Sequence, residues 1–364
     1  FTMAKKRVLL GMSGGTDSSV AAILLKQKGF EVVGITFRSY DSISKSCMEK
    51  ETGCCNVDSI FEAKKLANDL GFEHHILDIR DYFADTIINN FINEYLSGNT
   101  PNPCVLCNKL IKWGRMIEEA DNLNCDYLAT GHYARIVLEN NRYYIRKGVD
   151  QTKDQSYFLW AIPQEYLSRT IFPLGNFTKT EVRKIAVDNG YTKIANKRES
   201  QEICFIPDDD YRRFLREAVP DIDNKIGEGN FVDKNGKILG KHKGYPFYTI
   251  GQRKGLNIAL GQPTYVLNID AQTNTITLGE AKDLLKNEVP IQNINFMKYE
   301  KIPEDFQAIC KIRYNNKGEK CRVIQYGDKI KIIFENPVSA VTPGQSAVIY
   351  ENEDIVCGGI ITNL

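Results

Sequence analysis

The chain contains no long apolar run. None approaches the roughly 18 consecutive apolar residues that a membrane-spanning helix needs. The opening residues, Phe1-Thr2-Met3-Ala4-Lys5-Lys6-Arg7, lack the apolar stretch of a secretory signal. Both absences point towards the cytoplasm, where the ten cysteines would stay reduced. Such cysteines are better candidates for chemistry or metal binding than for structural staples. Net charge is almost absent too: 47 Lys+Arg against 46 Asp+Glu leave +1. A polyanionic partner would therefore be met by local basic patches and not by the overall field. No internal repeat or low-complexity tract is visible. Two further lacks are local. A Walker loop ends in Gly-Lys-Ser/Thr, and the Gly-rich loop near the start carries no lysine. The dinucleotide fingerprint needs a third glycine at fixed spacing, and that is missing.

What stands there instead is Val8-Leu9-Leu10-Gly11-Met12-Ser13-Gly14-Gly15-Thr16-Asp17-Ser18-Ser19, running into a helix-like segment, Val20 to Lys28. Strand, Gly-rich loop and helix is an arrangement that holds phosphate. The glycines let backbone approach closely, and the helix N-terminus offers free N–H groups and a favourable dipole. Ser13, Ser18 and Ser19 add hydroxyl donors. The competing reading is a plain capping turn, with Asp17 and Ser18 as ordinary cap residues. The full Ser-Gly-Gly-x-Asp-Ser directly after an apolar strand favours phosphate. The motif resembles the pyrophosphate loop of ATP pyrophosphatases. Those enzymes cleave ATP between the α and β phosphates, adenylate a carbonyl-type oxygen and let a nucleophile displace AMP.

The first half alternates strands (Glu31 to Phe37, His74 to Ile79, Asp126 to Thr130) with helices (Asp58 to Leu70, Tyr82 to Leu96, Asn108 to Ala120). This predicts an α/β N-terminal domain with a doubly wound parallel sheet. Ligands bind such sheets outside the carboxyl ends of the strands. Gly11 to Ser19, Phe37 and Gly131-His132 all follow strand ends, so they are expected to face one crevice. Beyond Pro220 the chain becomes short β-like runs separated by Gly, Asn and Asp, which predicts small β domains. The expected divisions are 1–206, a small β-rich central domain at 207–286, and a C-terminal β-barrel at 287–364, where Pro290 reads as an interruption.

Thr100-Pro101-Asn102-Pro103-Cys104-Val105-Leu106-Cys107-Asn108 is the second sharp feature. Its prolines suggest an extended lead-in that places Cys107 at the start of the Asn108 helix. A helix N-terminus, with Lys109 and Lys112 nearby, would favour a reactive thiolate. Cys104 and Cys107 read equally as a redox pair, as half a metal site, or as a nucleophile with a distant partner. Cys204 is the natural distant partner, although beside Ile203 and Phe205 it also reads as a small buried hydrophobe. Cys47, Cys54 and Cys55 could form a second metal cluster. Cys125, Cys310, Cys321 and Cys357 read as packing residues.

Together the phosphate loop, Thr100 to Pro103 with Cys107-Asn108, Ala129-Thr130-Gly131-His132-Tyr133, Lys153-Asp154-Gln155-Ser156-Tyr157-Phe158-Leu159, Ile203-Cys204-Phe205-Ile206, Gly251 to Leu256 and Val341 to Ala347 resemble the tRNA-specific 2-thiouridylases, in order and over nearly the whole chain. The resemblance implies an N-terminal domain of the adenine-nucleotide hydrolase type. It implies ATP on Gly11, Met12, Ser13, Gly14, Gly15, Thr16, Asp17 and Ser18, with the adenine near Phe37 and Gly131, and Mg²⁺ on the phosphates with Asp17 as an indirect ligand. It implies adenylation of a wobble uridine at O2, then sulfur transfer to C2. Cys204 would carry a persulfide from a sulfur-relay protein, and Cys107 would close a disulfide with Cys204 or release sulfide as the nucleophile. It further implies tRNA contacts at Asn102, Pro103 and Cys104 (target base), His132, Lys153, Asp154, Gln155, Arg313, Tyr314 and Gln345. The tRNAs would be those for Lys, Glu and Gln, and the protein a monomer. Basic stretches such as Arg212-Arg213-Arg216, Lys241-His242-Lys243, Arg253-Lys254 and Lys311-Arg313-Lys317-Lys320-Arg322 would meet phosphates. One departure matters: many relatives carry aspartate where this chain has Cys104. Cys104, Cys107 and Cys204 could then ligate a [4Fe–4S] cluster with one open iron, and sulfur would arrive on iron. Two other functions compete: an ATP-pyrophosphatase ligase acting on a small metabolite, and a non-catalytic zinc or RNA-binding module.

Overall fold

A computed structural model of the chain describes residues 5–40, 57–197, 203–258 and 261–363. Cys47, Cys54 and Cys55, the expected second metal cluster, lie outside these residues, as do Glu199 to Glu202.

The chain opens with β1 (Arg7–Gly11), whose Val8, Leu9 and Leu10 are fully buried. Alternate side chains serve opposite faces, as the two-residue period of a strand dictates. Leu9 joins one core with Val33, Trp113 and Met116, while Val8 and Leu10 join another with Val20, Leu24 and Val32. Burial on both faces is why β1 reads as a continuous apolar run. Then follow α1 (Thr16–Gln27), β2 (Glu31–Arg38), α2 (Val57–Leu70) and β3 (His74–Asp78). Gly71, just past α2, takes φ +67°, a left-handed turn that glycine adopts without strain. Helix α3 runs through 80–96 and α4 through 103–122, each with one π-helical stretch. β4 (Tyr127–Ala129) returns beside β1. With β7 (Thr170–Ile171) the strands form a parallel sheet in the order 3-2-1-4-7. The chain steps outward from β1 to β3, then crosses back to β4. The gap between β1 and β4 is therefore the switch point of the sheet, where such folds bind ligands.

Helix α4 departs from expectation. It begins at Pro103, five residues before Asn108, with Asn102 as its cap. Proline fits the first helical position because its missing N–H would have been unpaired there anyway. Cys107 therefore lies in the second turn, and the thiol at the helix N-terminus belongs to Cys104.

Strands β5 (Ala134–Glu139) and β6 (Arg142–Lys147) form a hairpin through Asn140 and Asn141, both at positive φ. Its outer edge joins a distant sheet. Arg146 of β6 pairs in register with Asp354 of β17 (Asp354–Ile361), and its guanidinium contacts the Asp354 carboxylate at 2.5 Å. Strands β12 (Leu285–Phe296), β13 (Phe306–Lys311), β14 (Glu319–Tyr326), β15 (Lys329–Ser339), β16 (Ser346–Glu351) and β17 make a six-stranded barrel in the order 12-15-14-13-16-17, closed by β12 on β17. Core residues from both ends of the sequence pack together: Leu9, Tyr144 and Trp160 share one cluster with Met297, Val348, Tyr350 and Ile355. A Cβ at Gly358 of β17 would stand 2.5 Å from the Trp160 ring, so glycine is what admits that indole.

The expected break at Pro290 is absent. β12 (Leu285–Phe296) passes through it unbroken. Pro290 sits where β12 hands over from β15 to β17, and its carbonyl accepts the Thr362 N–H at 3.1 Å. Only the donor side of the residue is lost there. Between these parts, β8 (Gly229–Val232), β9 (Ile238–His242), β10 (Tyr265–Asp270) and β11 (Thr275–Gly279) form a four-stranded sheet in the order 10-11-8-9. Its Phe231 and Val266 share a core with Phe83 and Phe91 of α3. Among the described residues no helix is long and apolar enough to cross a membrane.

Candidate active site

The loop between β1 and α1 is held from several sides. Met12 N–H donates to Ile35 O at 2.8 Å, and Thr36 Oγ1 donates to Met12 O at 2.8 Å. The Ser18 hydroxyl accepts from Ser13 N–H at 3.2 Å and lies 3.3 Å from Ser13 Oγ. Thr16 Oγ1 donates to Ile194 O at 2.6 Å. Gly14 takes φ +68°, and a Cβ there would fall 2.2 Å from Ser59 O, so only glycine fits. Gly131 packs from the other side: a Cβ would stand 2.8 Å from Ser18 N and 2.9 Å from Asp17 C. Phe37, half-buried at the end of β2, flanks β1 opposite Gly131. The structure thus brings Gly11 to Ser18, Phe37 and Gly131 to one end of the sheet, around the switch point.

Asp17 is not open. Its Oδ1 accepts from Lys179 Nζ at 2.7 Å and from the Tyr133 hydroxyl at 2.8 Å. Lys179 opens α5 (Lys179–Asp188), which Thr178 and Glu181 cap reciprocally. A second lysine, Lys197, reaches Gly14 O at 3.1 Å, Ser59 Oγ at 3.4 Å and the Glu62 carboxylate. Sequence reasoning missed both. A local signal existed for Lys179, since a cation in the first turn of a helix opposes the helix dipole.

Cys104, Cys107 and Cys204 are half-buried and unbridged. Burial pushes the Cys104 thiol up, with Lys112 opposing weakly. That is opposite in sign to the activation expected of a helix N-terminus. Cys107 and Cys204 rest against the same core, which includes Ile111, Phe205 and Phe91. Phe205 fixes the Cys204 segment by edge contacts to Phe83 and Phe91, at 5.8 and 5.3 Å between centroids. Among the described residues no three His, Cys, Asp or Glu side chains are gathered closely enough to hold a metal ion. The three thiols have the donor chemistry for an iron–sulfur cluster but do not form a ready cradle.

The residues expected to meet RNA divide by burial. Arg313 is exposed and donates to Ser339 O at 2.7 Å. Tyr314 lies over Phe158 at 4.6 Å, and Lys311 Nζ stands 5.6 Å from the Tyr314 ring. Asn102 bonds the Tyr157 hydroxyl, which also donates to Ser346 O at 2.9 Å. Pro103 is buried. Lys153 lies in the loop that Asp150 ties to the N-terminus of α5. Three expected contacts face inward. His132 is 9% exposed, bonded to Thr130 Oγ1 at 2.7 Å, and burial holds its pKa well below the usual imidazole value. Asp154 is 7% exposed, and its oxygens accept from Gly148 N–H, Ser156 N–H and Ser156 Oγ. Gln155 accepts from Tyr133 N–H at 3.0 Å. Gln345 Nε2 donates to Thr100 O at 2.9 Å and Pro101 O at 3.0 Å, joining the barrel to the lead-in of α4. The arginine patch is largely committed: Arg213 pairs with Asp208 and Glu217, and Arg216 with Asp223.

Three family descriptions match the chain end to end: tRNA methyl transferase HUP domain over residues 6–208, tRNA methyl transferase PRC-barrel domain over 212–280, and Aminomethyltransferase beta-barrel domain over 286–361. The chain is 49% identical over 361 residues to a Cytophaga hutchinsonii protein named tRNA-specific 2-thiouridylase MnmA, covering 99% of this chain and 98% of that one. It is 49% identical over 360 residues to an Amoebophilus asiaticus protein of the same name, with 99% and 96% covered. A Salinibacter ruber namesake is 48% identical over 364 residues, with 99% and 95% covered.

Proposed function

The chain belongs to the tRNA-specific 2-thiouridylase family, and from that premise we propose that it makes 2-thiouridine at the wobble position of tRNA, using ATP. The observation that carries the reading is the wedging of Gly131 against Asp17 and Ser18. It packs a phosphate-type loop closely at the switch point of the sheet, against the backbone of both residues. Two of the matched descriptions speak of methyl transfer. A helix N-terminus behind Ser-Gly-Gly-x-Asp-Ser suits an anionic leaving pyrophosphate, which methyl transfer does not produce.

ATP lies along Gly11 to Ser18, with the adenine near Phe37 and Gly131. The O2 of the target uridine attacks the α-phosphate, the bond to the β-phosphate breaks, and pyrophosphate leaves. AMP is then a good leaving group on C2. Mg²⁺ supplies positive charge to the phosphates, and Asp17, with Oδ1 already engaged, serves it only indirectly. The terminal sulfur of a Cys204 persulfide adds to C2 and AMP departs. Cys107 then attacks Cys204 Sγ, the S–S bond to the transferred sulfur breaks, and its electron pair stays on the thiocarbonyl. A Cys107–Cys204 disulfide remains for an external reductant. Among the described residues the three thiols are not gathered as a cluster would need, which favours sulfur carried on Cys204 over sulfur on iron. Asn102, Pro103 and Cys104 line the target-base position, which the uridine reaches by leaving its stack. Lys153, Arg313 and Tyr314 face phosphate and base. His132, Asp154, Gln155 and Gln345 support those positions from within. The substrates are the tRNAs for Lys, Glu and Gln, the sulfur donor is a persulfide carrier, and the chain acts as a monomer. A small-metabolite ligase would leave the paired thiols and the β-rich half idle.

The test is anaerobic purification, an iron and labile-sulfide assay, and thiolation of unmodified tRNA on the same sample. Full activity in iron-free protein given a persulfide donor is the expected result. Stoichiometric cluster, with activity that follows it, would replace the Cys204 persulfide by sulfur on iron.

A further inference from the structure

We propose that Lys179 is a pyrophosphate-side binding residue that exchanges partners: it neutralises Asp17 in the empty site and turns to the β- and γ-phosphates when ATP arrives. The inference rests on the ATP-pyrophosphatase reading given above. Between Gly11 and Ser19 the loop carries one charged residue, Asp17, and it is an anion. An unscreened carboxylate at the phosphate-binding turn would repel the very ligand the turn is built for. A Walker loop solves this with its own lysine, and this loop has none. The cation comes instead from 162 residues downstream, with Lys179 Nζ 2.7 Å from Asp17 Oδ1.

Three features say that this lysine is held there for more than solubility. Its side chain is only 9% exposed. It occupies the first turn of α5, where the helix dipole disfavours a cation. Its ammonium also stands 5.8 Å from the Tyr133 ring, and the Tyr133 hydroxyl donates to the same Asp17 oxygen. Tyr133 can therefore keep Asp17 oriented when the ammonium leaves. In the exchange no proton moves. The ammonium gives up one carboxylate oxygen for phosphate oxygens, which strengthens as charge builds on the departing pyrophosphate.

The test compares Lys179→Gln, Asp17→Asn and the double variant with the unaltered protein, titrating ATP, inorganic pyrophosphate and AMP separately. Lys179→Gln should weaken ATP and pyrophosphate by about 10- to 100-fold, the range for a lost hydrogen bond to a charged group. AMP, which lacks the β- and γ-phosphates, should bind as before. The double variant should stay weak for pyrophosphate. Three results overturn the inference: unchanged pyrophosphate affinity in Lys179→Gln, an equal loss for AMP, or full recovery in the double variant, which would leave Lys179 with no task but masking Asp17. Lys179→Arg keeps the charge and should keep pyrophosphate affinity within severalfold, which separates binding from folding should the Gln variant be unstable. If the unaltered protein binds neither ATP nor pyrophosphate, the underlying ATP reading itself fails.

Discussion

Gly131→Ala puts the packing of the phosphate loop to a direct test. The added methyl would meet Ser18 N at 2.8 Å, Asp17 C at 2.9 Å and Asp17 Cβ at 3.1 Å. Carbon contacts settle near 3.5–4.0 Å, and two of these three neighbours are backbone, so no rotamer change relieves the clash. Either the loop or the exit of β4 must shift. Overpacking of this kind costs about 1–3 kcal/mol. In the empty protein the loop can yield, releasing part of the strain. A bound triphosphate needs the original N–H positions, so the cost reappears as lost affinity of roughly 5- to 150-fold, at tenfold per 1.4 kcal/mol. Calorimetric titration of ATP, beside a thermal melt, reads both quantities. Gly71→Ala is the control. Unlike Gly131, Gly71 sits at positive φ, with no atom within 4 Å of a new Cβ, and it lies just past α2. It should lose about 1 kcal/mol of stability and no ATP affinity. A Gly131→Ala protein that binds ATP like the parent would refute the packing described here.

Cys107→Ser and Cys204→Ser should each abolish thiolation while leaving ATP and tRNA binding intact; thiolation by either variant would remove that cysteine from the chemistry. His74 has its pKa lowered to about 4, first by burial and then by the neighbouring His75 and Lys64 charges. Its Nε2 bonds Thr36 Oγ1 at 2.8 Å, and its Nδ1 is buried without a hydrogen-bond partner, so a second proton has no acceptor. The unfolded chain takes up that proton first, so His74 stabilises the fold above about pH 6.5, and this contribution drains away as pH falls towards 4. His74→Gln should flatten that limb of a stability–pH curve, and an unchanged curve would show that His74 titrates normally. Lys311→Ala should lower the salt dependence of tRNA binding, by about 0.7–0.9 in the log–log slope if Lys311 meets one phosphate. An unchanged slope would place RNA elsewhere.

The parallel sheet was legible because its central strands, β1 and β2, carry the apolar runs that two-sided burial demands, alternating with helical stretches. Val8 to Leu10 is the clearest. The loop was legible because glycine at positive φ and backbone-close packing leave few residue choices, as at Gly14. Other features depend on partners far along the chain. Asp17 looks like a cap residue until Lys179 is seen beside it. His132 and Asp154 look available for RNA until their burial is known, since residue type says nothing about which way a loop turns. The prolines misled in two ways. Pro103 starts a helix where its pattern suggests an extended segment, and Pro290 is absorbed at a change of strand partner. Cys107 consequently lies one turn further into the helix than the sequence pattern suggests.

The hairpin β5–β6 and the shared core have a consequence for how the chain is made. Trp160 and Tyr144 reach their final packing only against Tyr350 and Ile355. Nearly two hundred residues of synthesis separate these partners. At translation rates of about 5–20 residues per second, that is a wait on the order of 10–40 s. During it, the first domain has its sheet but not its full hydrophobic closure, with β6 an unpaired edge. A strand made late, β17, thus seals a core that β1 and β6 begin. A stop codon late in the reading frame would therefore damage the nucleotide-binding half as well as the barrel.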